Sequence, residues 1–159
     1  MERIVIGSTR AGLTLKERII AFLERKGFHV EDVGMRRDGE FVPYHRAAMA
    51  VGETVSSGAF ERGIIICGTG AGSVITAAKF KGVYPVHVTN TYMARQARAV
   101  NDCNVLVFGE WLTPPEHAFE MVDAWLNTRF GDGVDPEWKK TLAGFLDEIR
   151  TFESKQFTR

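Results

Sequence analysis

Five times along this chain a short β-branched, apolar run gives way to a longer stretch of helical period, and that alternation is the strongest constraint on its fold. The expected strands lie at residues 3–6, 29–33, 63–66, 84–88 and 104–107, and the expected helices at 13–26, 44–57, 73–80, 91–100 and 115–127. Repeats of this length pair as parallel strands joined by crossover helices. The pattern predicts an α/β fold: a Rossmann-like, doubly wound parallel five-stranded sheet in flavodoxin-like order 2-1-3-4-5, built as an α/β/α sandwich. At 159 residues the chain suits a single domain, with its core over about residues 1–130. Beyond Phe130, GDGVD reads as a loop, and Trp138, Leu142, Phe145, Leu146 and Ile149 recur at helical spacing. With Asp135 as cap and Pro136 in the first turn, an extra C-terminal helix is expected over about residues 135–153. It would lie on its own domain or across a neighbouring subunit.

The charge balance removes several function classes. Lys plus Arg and Asp plus Glu each number 20, so no global basic field draws in nucleic acid. Two cysteines are too few for a disulfide framework, and MERIVIGSTR lacks the apolar core of a signal peptide. No apolar run approaches the roughly 20 residues that span a bilayer. The expectation is a cytoplasmic protein with no nucleic-acid and no membrane partner, in which a free thiol stays reduced. No HxxxH, CxxC or carboxylate cluster has metal spacing, so no metal is expected. The mixed run Glu31, Asp32, Arg36, Arg37 and Asp38 reads as a solvated loop.

Within this frame the stretch GIIICGTGAGS, residues 63–73, concentrates the chemistry. In a doubly wound sheet ligands bind outside the carboxyl ends of the strands, where strand order reverses. The turns that end strands one and three, residues 7–12 and 67–72, should face each other there. Gly7 to Gly12 has the glycine spacing of a phosphate loop, but Leu13 stands where its lysine belongs, and Gly68, Gly70 and Gly72 are spaced GxGxG rather than GxGxxG. A nucleotide cofactor is therefore not expected. The glycine run does offer unshielded backbone N–H groups leading into a helix start, an arrangement that binds anions. Cys67 beside that positive end is expected to serve as base or nucleophile, with the loop as its oxyanion hole. The sequence places no histidine firmly beside it; His87, late in strand four, is nearest and reads as a satisfied core residue, as Cys103 reads as a small core residue. Acyl transfer, which needs such a histidine, is thus less favoured than proton abstraction next to a carbonyl.

GIIICGTGAGSVITAAKFKG followed by NTYMARQARAVNDCNVLVFG closely resembles the type B ribose-5-phosphate isomerases and the related galactose-6-phosphate isomerases. The similarity runs from residue 3 to about 130 and takes in GSTRAGLTLKERI and AWLNTRFGDG. The resemblance implies a cofactor-independent aldose–ketose isomerase, a homo-oligomer (dimer or tetramer) with its sites between subunits. It implies Cys67 as the base that moves a proton between C1 and C2, Thr69 as a helper at the oxygens, and Gly68, Gly70, Gly72 and Ser73 as the enediolate's cradle. Asn101 is implied as a ligand of a substrate hydroxyl, and Arg98 and Arg10 as the remaining basic residues for an anion. Tyr44 and His45 fall where the family has polar and aromatic residues near the site.

The departures carry as much information. Thr9-Arg10 stands in place of Asp-His, and Val100 in place of the histidine that opens a furanose ring. The phosphate-gripping arginines correspond to Trp111, Val134 and Trp138. A base without a ring opener suits a substrate that is already open, such as a tetrose 4-phosphate, and four-carbon sugar phosphates are the expected class, ahead of pentose phosphates. The same losses leave open an unphosphorylated or uronate-type sugar, or a catalytically degenerate, sugar-binding or partner-dependent subunit.

Overall fold

The computed structural model describes residues 2–158. Its strands are β1 (Arg3–Ser8), β2 (His29–Asp32), β3 (Arg62–Cys67), β4 (Pro85–His87) and β5 (Val105–Gly109). Its helices are α1 (Leu13–Arg25), α2 (Tyr44–Ser56), α3 (Ala71–Ala77), α4 (Thr91–Ala99), α5 (Pro115–Leu126) and α6 (Pro136–Gln156). All strand pairs are parallel. The central strands read as unbroken apolar runs because helices cover both faces. Ile4, Ile6, Ile64, Ile66, Leu106 and Phe108 point toward α1 and α5, whereas Val5, Ile65, Val105 and Val107 point toward α2 and α3. Among the described residues no helix is long and apolar enough to cross a membrane.

The sheet order is β2-β1-β3-β5-β4 rather than the expected 2-1-3-4-5. Burial explains the exchange. β5, VLVFG, is buried at every position, while β4 is a three-residue strand, half-buried throughout, that begins with Pro85. Proline cannot donate to a ladder and is confined to edges and first positions, so the last two strands compete for one central place and the apolar one takes it. The chain runs from β3 through α3 past that place to β4, then returns through α4 to β5. α3 packs with α2 on one face and α4 with α5 on the other, as crossovers of a single hand require when the direction reverses. The expected switch point between β1 and β3 is unaffected, since these strands remain neighbours.

α6 forms as the caps predict: the Asp135 carboxylate accepts from the N–H groups of Glu137 at 2.9 Å and Trp138 at 3.3 Å, with Pro136 in the first turn. It lies against its own chain at the amino edge of the sheet. Glu153 accepts from the Gly82 N–H at 2.8 Å and the Tyr84 hydroxyl at 3.1 Å, and Arg150 pairs with Asp102 at 3.3 Å. Leu142 and Leu146 are buried, whereas Trp138, Phe145, Ile149 and Phe152 remain exposed.

Candidate active site

Cys67 is the last residue of β3, and the chain turns immediately after it. The turn closes on Gly70, which adopts φ 88°, a left-handed conformation that L side chains rarely take. This conformation aims the Gly70 N–H back at the strand end, where it donates to Cys67 Sγ at 3.1 Å. The sulfur is thus held at the floor of the turn with its residue 5% exposed, which is enough to meet a ligand from one side.

The alternate glycines share one cause. Three rings from three different elements lie against them. A Cβ on Gly68 would stand 2.9 Å from the Trp111 ring, and one on Gly70 would stand 2.6 Å from His87 Cδ2. On Gly72 it would run into the ring of Tyr44. The loop's bare backbone is therefore covered by aromatic surface, and any larger residue would push a ring away. Trp111 is delivered by the segment after β5, whose Glu110 and Trp111 N–H groups donate to the Cys67 and Gly68 carbonyls at 2.9 and 3.1 Å.

Above Cys67 opens a cavity of about 580 Å³. Of the residues singled out from sequence, Arg10, Cys67, Gly68, Thr69 and Gly72 line it together. Gly70 lies beneath, at the sulfur. Ser73 is fully buried and its hydroxyl has no partner among the described residues, so it packs behind the loop rather than on the cavity. Tyr44 joins the wall, while His45 is exposed and does not.

Arg98 and Asn101 are not brought there. β5 carries the chain from Val105 to Gly109, and Gly109 is the residue opposite Cys67, so Asn101 lies a strand length away at the amino edge. It borders a groove with Pro85 and Ile149. Arg98, half-buried, is held by Asp102 at 2.5 Å. Residues that neighbour the loop in a motif thus stand at the opposite end of the sheet within one chain.

His87 also departs from its expected part. It is half-buried against Gly70, but among the described residues its buried Nε2 has no partner, so it is not a satisfied core histidine. Burial pushes its imidazole below the ordinary value and keeps the ring neutral near pH 7. Cys103 is a core residue as expected, and burial pushes its thiol up to about 12.

Sequence reasoning missed Phe41 and Pro43, which also line the cavity. They belong to the long connection from β2 to α2, and every such connection in a parallel sheet opens at the carboxyl edge. That topological rule was the available signal. The connection is anchored from below: Lys16, 1% exposed, donates to Asp32 at 2.7 and 2.9 Å and to the Met35 carbonyl. Met35 N–H in turn donates to the Ser8 carbonyl at 2.8 Å. Asp32 is thereby drawn out of the solvated run in which the sequence placed it.

A sequence profile of the Ribose/Galactose Isomerase family matches residues 4–140. The chain is 38% identical over 158 residues to the 4-deoxy-4-sulfo-D-erythrose isomerase of Clostridium sp. (strain MSTE9), covering 99% of each chain. It is 36% identical over 141 residues to the D-erythrulose-4-phosphate isomerase of Pectobacterium atrosepticum, covering 88% of this chain and 93% of that one. The solved structure of ribose-5-phosphate isomerase B from Clostridium thermocellum superposes with a TM-score of 0.86 at 38% identity, covering 97% of this chain and 99% of that one.

Proposed function

This chain belongs to the ribose/galactose isomerase family and is an aldose–ketose isomerase, and from that premise we propose that it interconverts four-carbon sugars bearing a tetrahedral oxyanion on C4, phosphate or an isostere of it. One observation carries the reading: among the described residues of one chain, the cavity wall offers one thiol and one cation, and neither a histidine nor a carboxylate. A furanose must be opened by an acid and a base before its carbonyl reacts. A tetrose substituted at C4 has no free hydroxyl there to close a five-membered ring, so it needs no such pair.

The chemistry then reduces to proton movement at two carbons. The Cys67 thiolate removes the proton from C2 of the aldose and returns it to C1 of the enediolate, giving the ketose. The Thr69 hydroxyl passes the oxygen-bound proton, and the backbone N–H groups of residues 68–72 face the developing charge. Arg10 holds the C4 anion. A second copy of the chain supplies what one copy lacks. Phe41, Tyr44 and Trp111 at the cavity mouth are 62%, 48% and 72% exposed, apolar area that a lone subunit rarely leaves in water. In such a homo-oligomer Asn101, too far from its own Cys67, reaches the site of its neighbour. The reaction takes place in a reducing, cytoplasmic setting.

The test is solvent deuterium incorporation at C1 and C2, followed by NMR, with four-carbon and five-carbon substrates. Exchange with the four-carbon substrates that disappears in Cys67→Ala supports the reading. Exchange that persists in Cys67→Ala, or that occurs only with pentose phosphates, overturns it.

A further inference from the structure

Three constraints meet at Gly70. Its carbonyl accepts from the Val74 N–H at 3.1 Å, which ties it to the start of α3, and its own N–H is the donor that meets Cys67 Sγ at 3.1 Å. The third is steric: a Cβ built on Gly70 would stand 2.6 Å from Cδ2, 2.9 Å from Nε2 and 3.1 Å from Cγ of His87, so the three nearest atoms on that side all belong to one ring. His87 ends β4, pairs with Val107 of β5 and packs beside α3. Glycine takes either sign of φ with little preference, so nothing within Gly70 itself keeps its φ at 88° and its N–H on the sulfur. The ring occupies the space into which the peptide would otherwise swing.

The protonation state of that ring is fixed by the same seat. His87 Nε2 is enclosed by its own chain and has no partner among the described residues. A neighbouring copy that covers the cavity mouth cannot reach an atom already enclosed. A buried acceptor left bare is better tolerated than a buried N–H without an acceptor, so the proton of the neutral ring belongs on Nδ1. An imidazolium donates from both nitrogens. The elements packed against β4 supply nothing to receive the second proton: neither β5 (VLVFG) nor α3 (AGSVITA) carries an ionisable side chain, and across Gly70 the ionisable group is Cys67 itself. A second proton therefore arrives only when the ring leaves its seat, and a ring that has left no longer holds Gly70.

We propose that His87 is a positioning residue of the isomerisation: its neutral ring, seated on Gly70, keeps the Gly70 N–H on Cys67 Sγ, and a protonated ring gives up that seat. The inference rests on the reading of Cys67 as the base and adds a residue that acts on it through the turn.

Two readouts separate this role from packing alone, each taken on the native chain, His87→Ala and His87→Phe. The first needs no substrate. The amide proton of Gly70 is followed by NMR in ¹⁵N-labelled protein from pH 7.5 to 5. In His87→Ala it moves toward the position of a free amide at every pH. In His87→Phe, which keeps a ring and takes no proton, it stays near the native position at pH 7.5 and lacks the step that the native chain shows as pH falls below about 6.5. Titration of Cys67 is common to both chains and cancels in the comparison. The second readout is deuterium exchange with a tetrose 4-phosphate. His87→Ala lowers kcat about tenfold with KM little changed, the scale of one hydrogen bond to a charged group. His87→Phe recovers most of that loss and declines less between pH 7.5 and 5.5 than the native enzyme does. Thermal unfolding at pH 7.5 verifies that each variant is folded.

A Gly70 resonance and a kcat that stay at native values in His87→Ala overturn the inference, as does a His87→Phe variant that titrates as the native chain does. A native enzyme that keeps its rate to lower pH than His87→Phe also overturns it, because the ring would then be pairing with the thiolate as an imidazolium. Exchange that persists in Cys67→Ala overturns the reading of the base, and the positioning role with it, whatever the Gly70 resonance does.

Discussion

Arg98, Asp102, Arg150 and Glu153 gather at the amino edge of the sheet, where each pairs with a charge or hydrogen-bonding group of its own chain. At the carboxyl edge, among the described residues, Arg10 is in no ion pair, His87 Nε2 has no partner, and Cys67 is met by a single N–H. The two cysteines follow the same division, Cys103 below and Cys67 above. One end of the sheet is closed by α6, and its charged groups find partners within the chain, the Arg98 Nε excepted. The other is left unsatisfied and lined with rings, the condition under which a ligand can complete it. Several unmet polar groups gathered at one edge, rather than a lone one such as Arg98 Nε, are therefore the better guide to this site than the number of charged residues nearby.

The sharpest challenge to that division is alkylation with iodoacetamide at pH 8. Cys67 should take the label and exchange activity should disappear. Cys103, fully buried with its thiol pushed up to about 12, stays protonated and out of reach at that pH and should stay unlabelled in peptide mass spectra. Label on Cys103 in the folded protein would break the comparison. Next in size is Gly70→Ala, which strains a left-handed residue and forces a Cβ onto the His87 ring. It should cost about 2–4 kcal/mol in thermal or urea unfolding. Adding His87→Ala should return part of the loss; complete additivity would mean that the ring does not press on the loop.

A smaller effect is expected at the satisfied edge. Asp102→Ala leaves Arg98 half-buried without its carboxylate and should cost about 1–3 kcal/mol, with turnover per folded molecule changed by no more than a few-fold. A collapse of turnover at unchanged stability would extend to Asp102 the part that the proposed homo-oligomer gives Asn101 in the neighbour's site. The smallest effect is in the pH dependence. Burial holds the folded-state pKa of His87 below its unfolded value of about 6.5. The unfolded chain therefore binds a proton more readily, so this contribution to stability is present above about pH 6.5, falls as pH drops below it and levels off once the folded ring is protonated. His87→Gln should remove that slope from unfolding curves taken between pH 7 and 5.

Much of the architecture was legible because its causes are local. The five strands and five helices of the core, the Asp135 cap and the α6 start follow from period, β-branching and capping chemistry that neighbouring residues supply. The placement of Cys67 at a strand end against a glycine turn was legible for the same reason. Phe41 and Pro43 were not, because nothing in EFVPY marks a residue as cavity-lining until the β2–α2 connection is known to return to the carboxyl edge. Arg98 and Asn101 were named from the family resemblance, which implies sites between subunits; a helix and a strand carry them away from their own Cys67, a distance that no local stretch of sequence holds.

By itself, then, the sequence determined that this chain builds a parallel sheet with a thiol at the switch point, since short-range sterics and hydrophobic period decide both. Only the tertiary structure decided that β5 takes the central place over β4, that Trp111, His87 and Tyr44 cover the three glycines, and that Arg10 is, among the described residues, the one cation on the cavity wall. Each of these is the outcome of a competition between distant segments for the same space or the same partner, and no stretch of sequence holds both competitors.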